Sequence, residues 1–258
     1  MKTTLQNRTA LVTGGASGIG ESCARLLAEY GCRVAVADIN IAQARLVADD
    51  IAGHAVEMDV ASEASVQAAV DQVEDAVGPI DILVTSAGVI QSPLPVGDLP
   101  LTDWDRVVHI DQRGTYVTCR DVGLRMAQRG SGSIINIASV AGMRSMPLHA
   151  YAPAKAAVIS ISECLASEWG RSGVRVNTVS PGFTRTPALQ DAIDRGERDV
   201  SSLANNSAVG RLVDPSEIAA AVAFLASGLA SGITGINLPV DLGWLTAGSW
   251  NTYGGVGR

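Results

Sequence analysis

The amino-acid sequence predicts a single doubly wound α/β domain, built on a seven-stranded parallel sheet flanked by helices. Three observations support this prediction: 47% of the 258 residues are apolar, seven short β-branched apolar runs recur along the chain, and segments of helical period separate them. The regular alternation favours parallel pairing, because right-handed helical crossovers join parallel neighbours. Since no repeat or Pro/Ser-rich linker divides the chain, residues 1–258 are expected to form one domain.

The predicted strands are the apolar runs at residues 9–13, 33–37, 55–58, 80–85, 133–138, 174–179 and 235–240. The clearest helix lies between the third and fourth strands, where residues 66–77 carry one apolar stripe opposite a polar face. Another helix has an explicit start signal, because Asp214, Pro215 and Glu217 suit its N-cap, first and third positions. This helix is predicted to run to about Ala226.

Two regions depart from the alternation, residues 183–213 and the tail at 244–258, which carries Trp244, Trp250 and Tyr253. In an open parallel sheet ligands bind beyond the carboxyl ends of the strands, so long excursions there form lids and pocket walls. Residues 183–213 are therefore predicted to be a substrate lid. The tail either covers a substrate site, its own or a neighbour's, or is an interface anchor or a frayed end.

Composition excludes several classes of protein. The formal charge of -7 and the scattered Lys and Arg residues offer no phosphate-tracking surface, so no nucleic-acid partner is expected. Four cysteines without CxxC spacing and only three histidines indicate neither a metal site nor a disulfide framework, and a reduced cytoplasm fits best. Residues 218–240 lack charge, but Gly, Ser, Asn and Pro interrupt them, so no membrane span is predicted. No signal peptide is predicted before the first glycine-rich turn.

That glycine-rich turn, TGGASGIG at residues 13–20, joins the first strand to a helix expected to begin near Glu21. Glycines here let the backbone approach a pyrophosphate, whose charge is attracted by the free N–H groups and the dipole of the helix N-terminus. A purely structural tight turn is the alternative. The predicted cofactor-binding residues of the turn are Gly14, Ser17, Gly18, Ile19 and Gly20.

Asp38 closes the second strand and is followed by Ile39, which is also predicted to border the cofactor. A carboxylate at this place accepts hydrogen bonds from the adenosine ribose hydroxyls and repels a 2′-phosphate. Gly15 in the turn offers no cation to such a phosphate. The pattern favours NAD over NADP, and a solvated strand end is the alternative interpretation of Asp38.

Tyr151 and Lys155 form the most informative pair in the chain. Lys155 is one of only two lysines, and it follows Tyr151 by four residues, so both share a face if residues 151–170 form a helix. A phenol with an ordinary pKa near 10 is only about one part in a thousand ionised at pH 7, too little for a general base. A nearby ammonium, together with an oxidised nicotinamide, is expected to lower that pKa by about three pH units. Ser139, at the end of the fifth strand, would hold the substrate oxygen.

Together these motifs resemble the short-chain dehydrogenase/reductase family over residues 5–243, nearly the whole chain. The resemblance implies a Rossmann-type domain that is both dinucleotide-binding and catalytic, with Ser139, Tyr151 and Lys155 as catalytic residues and the last two also touching the cofactor. It further implies cofactor contacts after the third, fourth and sixth strands, from Asp59, Val60, Ala87, Gly88, Pro181, Gly182, Thr184 and Thr186. A homotetramer or dimer, packed through the helix of Tyr151 and through the last helix and strand, is implied as well.

Three departures from the family pattern stand out. Thr85 and Ser86 replace an Asn-Asn pair before Ala-Gly, which removes amide hydrogen bonds that brace the sheet. Asp111 takes the place of the family's catalytic asparagine, whose backbone carbonyl holds a water leading to the lysine. A carboxylate there would stabilise the Lys155 ammonium and weaken its pull on Tyr151. The third departure, Val-Asp-Leu-Gly in place of Asp-Gly-Gly after the last strand, does not touch the chemistry directly.

The sequence thus predicts an NAD-dependent oxidoreductase that interconverts a small secondary alcohol, such as a polyol, sugar alcohol or hydroxy acid, and its ketone. Two alternatives stay open, a 3-oxoacyl carrier-protein type reductase and a non-catalytic NAD-binding sensor. Asp38 and the net negative charge disfavour the first, and an idle site would not need Ser139, Tyr151 and Lys155 together. Motif position predicts a substrate pocket that includes Gln91, Val140, Met143, His149, Phe183 and Leu189, although His149 also suits a surface position.

Overall fold

The seven predicted strands form one wholly parallel sheet in a computed structural model of the chain, which describes residues 5–196 and 199–256. The strands are β1 Thr9–Thr13, β2 Arg33–Asp38, β3 His54–Glu57, β4 Ile82–Thr85, β5 Gly132–Ile137, β6 Val174–Pro181 and β7 Asn237–Val240. Their order across the sheet is β3-β2-β1-β4-β5-β6-β7. This order reverses direction next to β1, as in a doubly wound fold, and the predicted fold class is confirmed.

Helices cover both faces of the sheet. The helices of the described chain, not all of which lie on the sheet, are α1 Gly18–Glu29, α2 Ile41–Asp50, α3 Glu63–Ala76, α4 Leu101–Val107, α5 Thr115–Arg129, α6 Tyr151–Trp169, α7 Pro187–Asp194, α8 Val200–Asn205, α9 Pro215–Ala226 and α10 Trp244–Ala247. The first begins at Gly18 rather than near Glu21, because the N–H of Glu21 already donates to the Ser17 carbonyl at 3.1 Å. The start of α9 agrees with the prediction, since Asp214 and Glu217 form a reciprocal capping box.

The core has two layers, one on each face of the sheet. Along β1 the side chains alternate, with Ala10 and Val12 in one layer and Leu11 in the other. One layer packs under α1, α2 and α9, the other under α3, α5 and α6. Residues 218–240 form the buried end of α9, a loop and β7. In the part of the chain that the structure describes, no helix is long and apolar enough to cross a membrane.

A π-helical turn, Val108–Gly114, separates α4 from α5. Within it Asp111 is 0% exposed, and its backbone carbonyl accepts a 2.7 Å hydrogen bond from the Thr115 hydroxyl. Gly114 permits the close approach of this segment to the loop after β3, because a Cβ atom there would lie 2.9 Å from the Val60 side chain. The turn thereby brings Asp111 to the carboxyl ends of the central strands.

A hydroxyl replaces the amide brace that the sequence lacks at the end of β4. Thr85 Oγ1 donates to Asn136 Oδ1 on β5 at 2.7 Å, and Asn136 Nδ2 donates to the Ser162 hydroxyl on α6 at 2.8 Å. The Thr13 hydroxyl accepts from the backbone N–H groups of Ser86 and Ala87. These hydrogen bonds satisfy the buried polar atoms at the end of β4 and connect β4, β5 and α6.

The two irregular regions lie beside each other. Residues 183–213 contain α7 and α8, and a short parallel bridge joins Thr184 to Val213. The tail continues from α10 into a 3₁₀ segment, Gly248–Tyr253. The ring of Trp244 meets that of Phe183 edge to face, with centroids 5.7 Å apart. The tail thus packs on the region of its own chain that is predicted to be a lid.

Candidate active site

A cleft of about 520 Å³ opens at the carboxyl ends of the strands, between the turn before α1 and the N-terminus of α6. This is the edge at which open parallel sheets bind ligands. With the exception of Gly20, the predicted site residues line it, namely Gly14, Ser17, Gly18, Ile19, Asp38, Ile39, Asp59, Val60, Ala87, Gly88, Asp111, Ser139, Tyr151, Lys155, Pro181, Gly182, Thr184 and Thr186. The structure therefore brings together residues from six strand ends and several loops.

Gly20 lies behind the cleft rather than on its surface. A Cβ atom at Gly20 would collide with the carbonyl oxygen of Gly14, so Gly20 allows α1 to pack closely on the turn. Gly14 has φ +65°, and a Cβ atom there would lie 2.7 Å from the Cα of Ala87. Gly18 has φ +56° and faces the side chain of Thr186 across the cleft. Backbone without side chains is thus exposed where a phosphate would approach the N-terminus of α1.

Two carboxylates mark one end of the cleft. Asp38 Oδ2 accepts from the N–H of Ala16 at 3.2 Å, and its Oδ1 accepts from the N–H of Asn40 at 2.9 Å. Asp59 Oδ1 accepts from the N–H of Ala61 at 2.9 Å. These bonds orient both carboxylates, each oxygen of which retains a lone pair for a ligand hydroxyl or amine. Of the described residues that line the cleft, the basic ones are Arg106, exposed on α4, and Lys155 at the other end.

Tyr151 and Lys155 share one face of α6, one turn apart, as predicted. The Lys155 ammonium lies 5.4 Å from the centre of the Tyr151 ring and donates to the Ile137 carbonyl of β5 at 3.2 Å. Lys155 is only 5% exposed, whereas Tyr151 is partly exposed in the cleft. Ser139 follows β5 and approaches the same phenol, with its Oγ also accepting from the N–H of Ala141 at 3.1 Å.

Gln91 orients the start of α6 from outside the cleft. Its Oε1 accepts from the N–H groups of Ala150 and Tyr151 at 2.8 and 3.3 Å. This bond supplies the cap that α6 lacks, because Ala150 at its N-cap has no side-chain acceptor. Sequence position had assigned Gln91 to the substrate pocket, whereas the structure gives it a supporting role behind Tyr151.

Asp111 lies directly against Lys155. Its Oδ2 is 3.1 Å from the Lys155 ammonium, and its Oδ1 accepts from the N–H of Val89 at 2.8 Å. The side chains are 0% and 6% exposed, so the ion pair is buried. This contact agrees with the charge near Lys155 that the resemblance implies for Asp111, and the π-helical turn is what directs the side chain there.

The ionisation of the pair and of the phenol depends on this contact. Burial raises the pKa of Tyr151, the Lys155 ammonium lowers it, Asp111 raises it and the hydrogen bond with Ser139 lowers it; the net pKa is above the ordinary value of 10.0. Burial would lower the pKa of Lys155, but Asp111 and Tyr151 outweigh it and raise that pKa. In the protein alone the pKa of Tyr151 is raised because desolvation and Asp111 outweigh the ammonium, and the lowering expected with a bound oxidised nicotinamide stays a prediction.

Of the six predicted pocket residues, Val140, Phe183 and Leu189 line the cleft. Met143 contacts Asn237 of β7 instead, and His149 is exposed in a separate open cavity beside Pro93 and Pro147. Motif reasoning missed several other lining residues, namely Met58, Ile90, Arg106, Ile110, Met146 and Leu148. These come mostly from loops, for which no sequence period gives a position.

The arrangement fits a nicotinamide dinucleotide. Side-chain-free backbone at Gly14 and Gly18, with the carboxylates of Asp38 and Asp59 nearby, would hold the phosphates and the adenosine. The buried ammonium of Lys155 and the phenol of Tyr151 would lie at the nicotinamide end. In the described residues no group of three or more His, Cys, Asp or Glu side chains is placed to hold a metal ion.

Comparisons with known proteins match this chain to a family model, to curated dehydrogenases and to solved structures. Residues 14–245 match a family model described as enoyl-(acyl carrier protein) reductase. D-threitol dehydrogenase of Mycolicibacterium smegmatis is 43% identical, over 93% of this chain and 94% of that protein. Cis-4-hydroxycyclohexanecarboxylate dehydrogenase of Sinomonas cyclohexanicum is 38% identical, over 92% and 96%. A crystal structure described as ribose-5-phosphate isomerase from Brucella melitensis 16M is 52% identical with a TM-score of 0.98, over 100% of both chains.

Proposed function

The chain belongs to the short-chain dehydrogenase/reductase family, and we propose that it is an NAD-dependent dehydrogenase of small secondary alcohols, with Tyr151 as its acid/base. One observation carries the proposal. Tyr151, Lys155 and Ser139 converge at one end of a cleft whose other end presents the glycine turn and Asp38. This is the arrangement that hydride transfer coupled to proton transfer requires.

The proposed reaction divides the work between three side chains. During oxidation, Ser139 Oγ forms a hydrogen bond with the substrate hydroxyl oxygen. The hydroxyl proton passes to the Tyr151 phenolate as hydride leaves the carbon that bears the hydroxyl group. When bound, the oxidised nicotinamide supplies the hydride acceptor, and the reduced form supplies the donor. During reduction, the Tyr151 phenol returns the proton to the carbonyl oxygen. Lys155 holds its ammonium beside the phenol and, through its donors, orients the ribose.

The raised pKa of Tyr151 has a direct consequence for this reaction. The phenol is protonated near neutral pH in the protein alone, so it is ready to donate a proton to a ketone. Oxidation requires the phenolate, which a positively charged nicotinamide nearby would stabilise. We therefore propose that oxidation rises with pH through the mildly alkaline range.

Asp38 supports NAD as the cofactor. The 2′-phosphate of NADP would lie against the Asp38 carboxylate and be repelled by it. The nearby residues Gly15 and Ile39 carry no positive charge that could bind this phosphate instead. Arg106 also lines the cleft, so the comparison of NAD with NADP tests whether its guanidinium binds the 2′-phosphate. The dissociation constants of NAD and NADP, measured with the same protein, would show which cofactor it prefers.

Polyols and related small alcohols are the proposed substrate class. The relatives named above act, by their names, on D-threitol and on a hydroxycyclohexanecarboxylate, both of which carry a secondary hydroxyl group. The cleft near Tyr151 combines apolar walls, Val140, Phe183 and Leu189, with the polar Ser139. Such a mixed wall suits a compact molecule with carbon and hydroxyl faces.

The experiment that tests the function is a panel of polyols, secondary alcohols and hydroxy acids with NAD, followed by the absorbance of the reduced cofactor. Y151F should lower turnover by about 10²- to 10⁴-fold while NAD binding is retained. Tyr116→Phe is the matched control, because Tyr116 is 45% exposed on α5. Full turnover by Y151F would refute the assignment of the acid/base.

The same panel separates the alternatives. Preference for NADPH and an acyl thioester would favour a carrier-protein reductase, in line with the description of the family model. Tight NAD binding without turnover of any substrate would favour a sensor. Ribose 5-phosphate should be included with and without nucleotide, because a close structural relative is described as its isomerase.

We also propose that the protein works as a homo-oligomer. Apolar side chains are exposed on α9, in the 3₁₀ turn after it and just before β7, where Phe224, Leu229 and Ile236 are 40%, 48% and 38% exposed. A patch of this kind is typical of protein interfaces. Sedimentation of the native protein and of Phe224→Asp would show whether this patch holds a dimer or tetramer together.

A further inference from the structure

Asp111 and Lys155 are unusual among the ion pairs of the described residues. Elsewhere in the described chain every paired side chain is at least 20% exposed, whereas these two are 0% and 6% exposed. A buried ion pair is expensive to desolvate and is seldom kept for stability alone. Its position beside Tyr151 indicates that it serves the site.

The carboxylate of Asp111 is fixed from three sides. The N–H of Val89 donates to Oδ1 at 2.8 Å, the ammonium of Lys155 lies 3.1 Å from Oδ2, and Gly88 lies so near that a Cβ atom there would be 2.9 Å from the same oxygen. The ammonium is itself held by the Ile137 carbonyl at 3.2 Å. Neither charge can therefore turn away from the other without breaking a buried contact.

The charges around Tyr151 are few. Lys155 on its own helix and Asp111 on the facing π-helical turn are the charged groups that act on the phenol, and the turn after β5 contributes the neutral hydroxyl of Ser139. β5 presents a backbone carbonyl to Lys155. Arg106 on α4 and His149 before α6 are exposed to solvent, which screens their charge.

We propose that Asp111 is a positioning residue that sets the pH at which Tyr151 ionises, by neutralising the ammonium of Lys155. The Lys155 ammonium lies 3.1 Å from the Asp111 carboxylate and 5.4 Å from the centre of the Tyr151 ring, and the phenol becomes charged only after it loses its proton. The fixed carboxylate is the nearer partner, so the phenolate gains less than it would beside an unpaired lysine. Without the carboxylate, Tyr151 would release its proton to solvent at a lower pH.

The test is a spectrophotometric titration of tyrosinate in the protein without cofactor. With only four tyrosines in the chain, the difference between each protein and its Y151F counterpart isolates Tyr151. D111N keeps an oxygen for the N–H of Val89 and removes the charge, and it should lower the ionisation midpoint by about one pH unit. Asp103→Asn, an exposed carboxylate on α4, is the matched control and should leave the midpoint unchanged.

A second variant and a second measurement keep the proposal open to refutation. D111S removes the charge with a smaller side chain and should give a shift in the same direction, so it decides the outcome if D111N does not fold. An unchanged midpoint in either folded variant would overturn the proposal. The kinetic counterpart rests on the proposed function: the pH profile of alcohol oxidation should move to lower pH by the same amount. If no alcohol is oxidised, the proposed function fails, while the titration still decides the role of Asp111.

Discussion

Gly88 lies directly against the buried carboxylate of Asp111: a Cβ atom at Gly88 would be 2.9 Å from Oδ2 and 3.4 Å from Lys155 Nζ. Both groups are confined, since the N–H of Val89 donates to the other carboxylate oxygen, Oδ1, and the Lys155 ammonium donates to the Ile137 carbonyl. Any side chain at Gly88 must therefore move the ion pair. Gly88, in the turn after β4, must therefore be a glycine for the ion pair of Asp111 and Lys155 to keep its position.

Substitution of Gly88 by alanine should reduce turnover far more than it reduces folding. A displacement of the ammonium by part of an ångström misplaces the group next to Tyr151, and we expect a loss of about 10- to 100-fold in kcat. Gly97→Ala is the control, because nothing lies within 4 Å of a Cβ atom there. Equal kcat values for the two variants would show that the ion pair tolerates the crowding.

Asp38→Asn should weaken NAD binding and reduce discrimination against NADP. Asparagine keeps one acceptor for the N–H groups of Ala16 and Asn40 but loses the charge that repels a 2′-phosphate. We expect the Kd for NAD to rise by about tenfold, with a smaller change for NADP, by titration calorimetry. Asp49→Asn, an exposed carboxylate on α2, should change neither constant. An unaltered NAD to NADP ratio in Asp38→Asn would contradict the role of Asp38.

Trp244→Ala tests whether the tail shapes the substrate site. Trp244 supports Phe183, which lines the cleft, so its loss should raise the KM for alcohol several-fold and leave the Kd for NAD unchanged. The control is Trp250→Ala, because Trp250 is 57% exposed. A change in the assembly state without a change in KM would instead identify the tail as an interface anchor.

The capping box of α9 should contribute to acid sensitivity. Hydrogen bonds from Arg211 and then from the N–H of Asp214 lower the pKa of Glu217 from 4.5 to about 2. Because the folded pKa lies below the unfolded one, the ionised carboxylate stabilises the fold above about pH 4.5, and this is lost as the pH falls towards 2. Solvent screening keeps the contribution below about 1 kcal/mol.

Urea unfolding at about pH 5 and about pH 3 measures this effect. Glu217→Gln should lose less stability between the two pH values than the unaltered protein, because its side chain no longer titrates. Glu57→Gln, which changes an exposed residue at the end of β3, should lose as much as the unaltered protein. If Glu217→Gln behaves like that control, the ionised Glu217 does not stabilise α9.

Local patterns predicted the elements that depend on neighbours in sequence. The period of apolar residues located the strands, the Asp214 to Glu217 signal placed the start of α9, and the i, i+4 spacing put Tyr151 and Lys155 on one face. The glycine turn could likewise be placed between β1 and α1. Each of these features depends on interactions between residues that are close in sequence, so the sequence pattern alone predicts it.

Contacts between distant segments were not accessible in this way. The hydrogen bond from Thr85 to Asn136 and the support of Tyr151 by Gln91 join loops and strands that no local period relates. The sequence by itself determined the fold class and placed Ser139, Tyr151, Lys155 and the glycine turn in the cleft. Only the tertiary structure decided that Asp111 pairs with Lys155 and that the pKa of Tyr151 rises, because desolvation and the distance between charges exist only once the chain is packed.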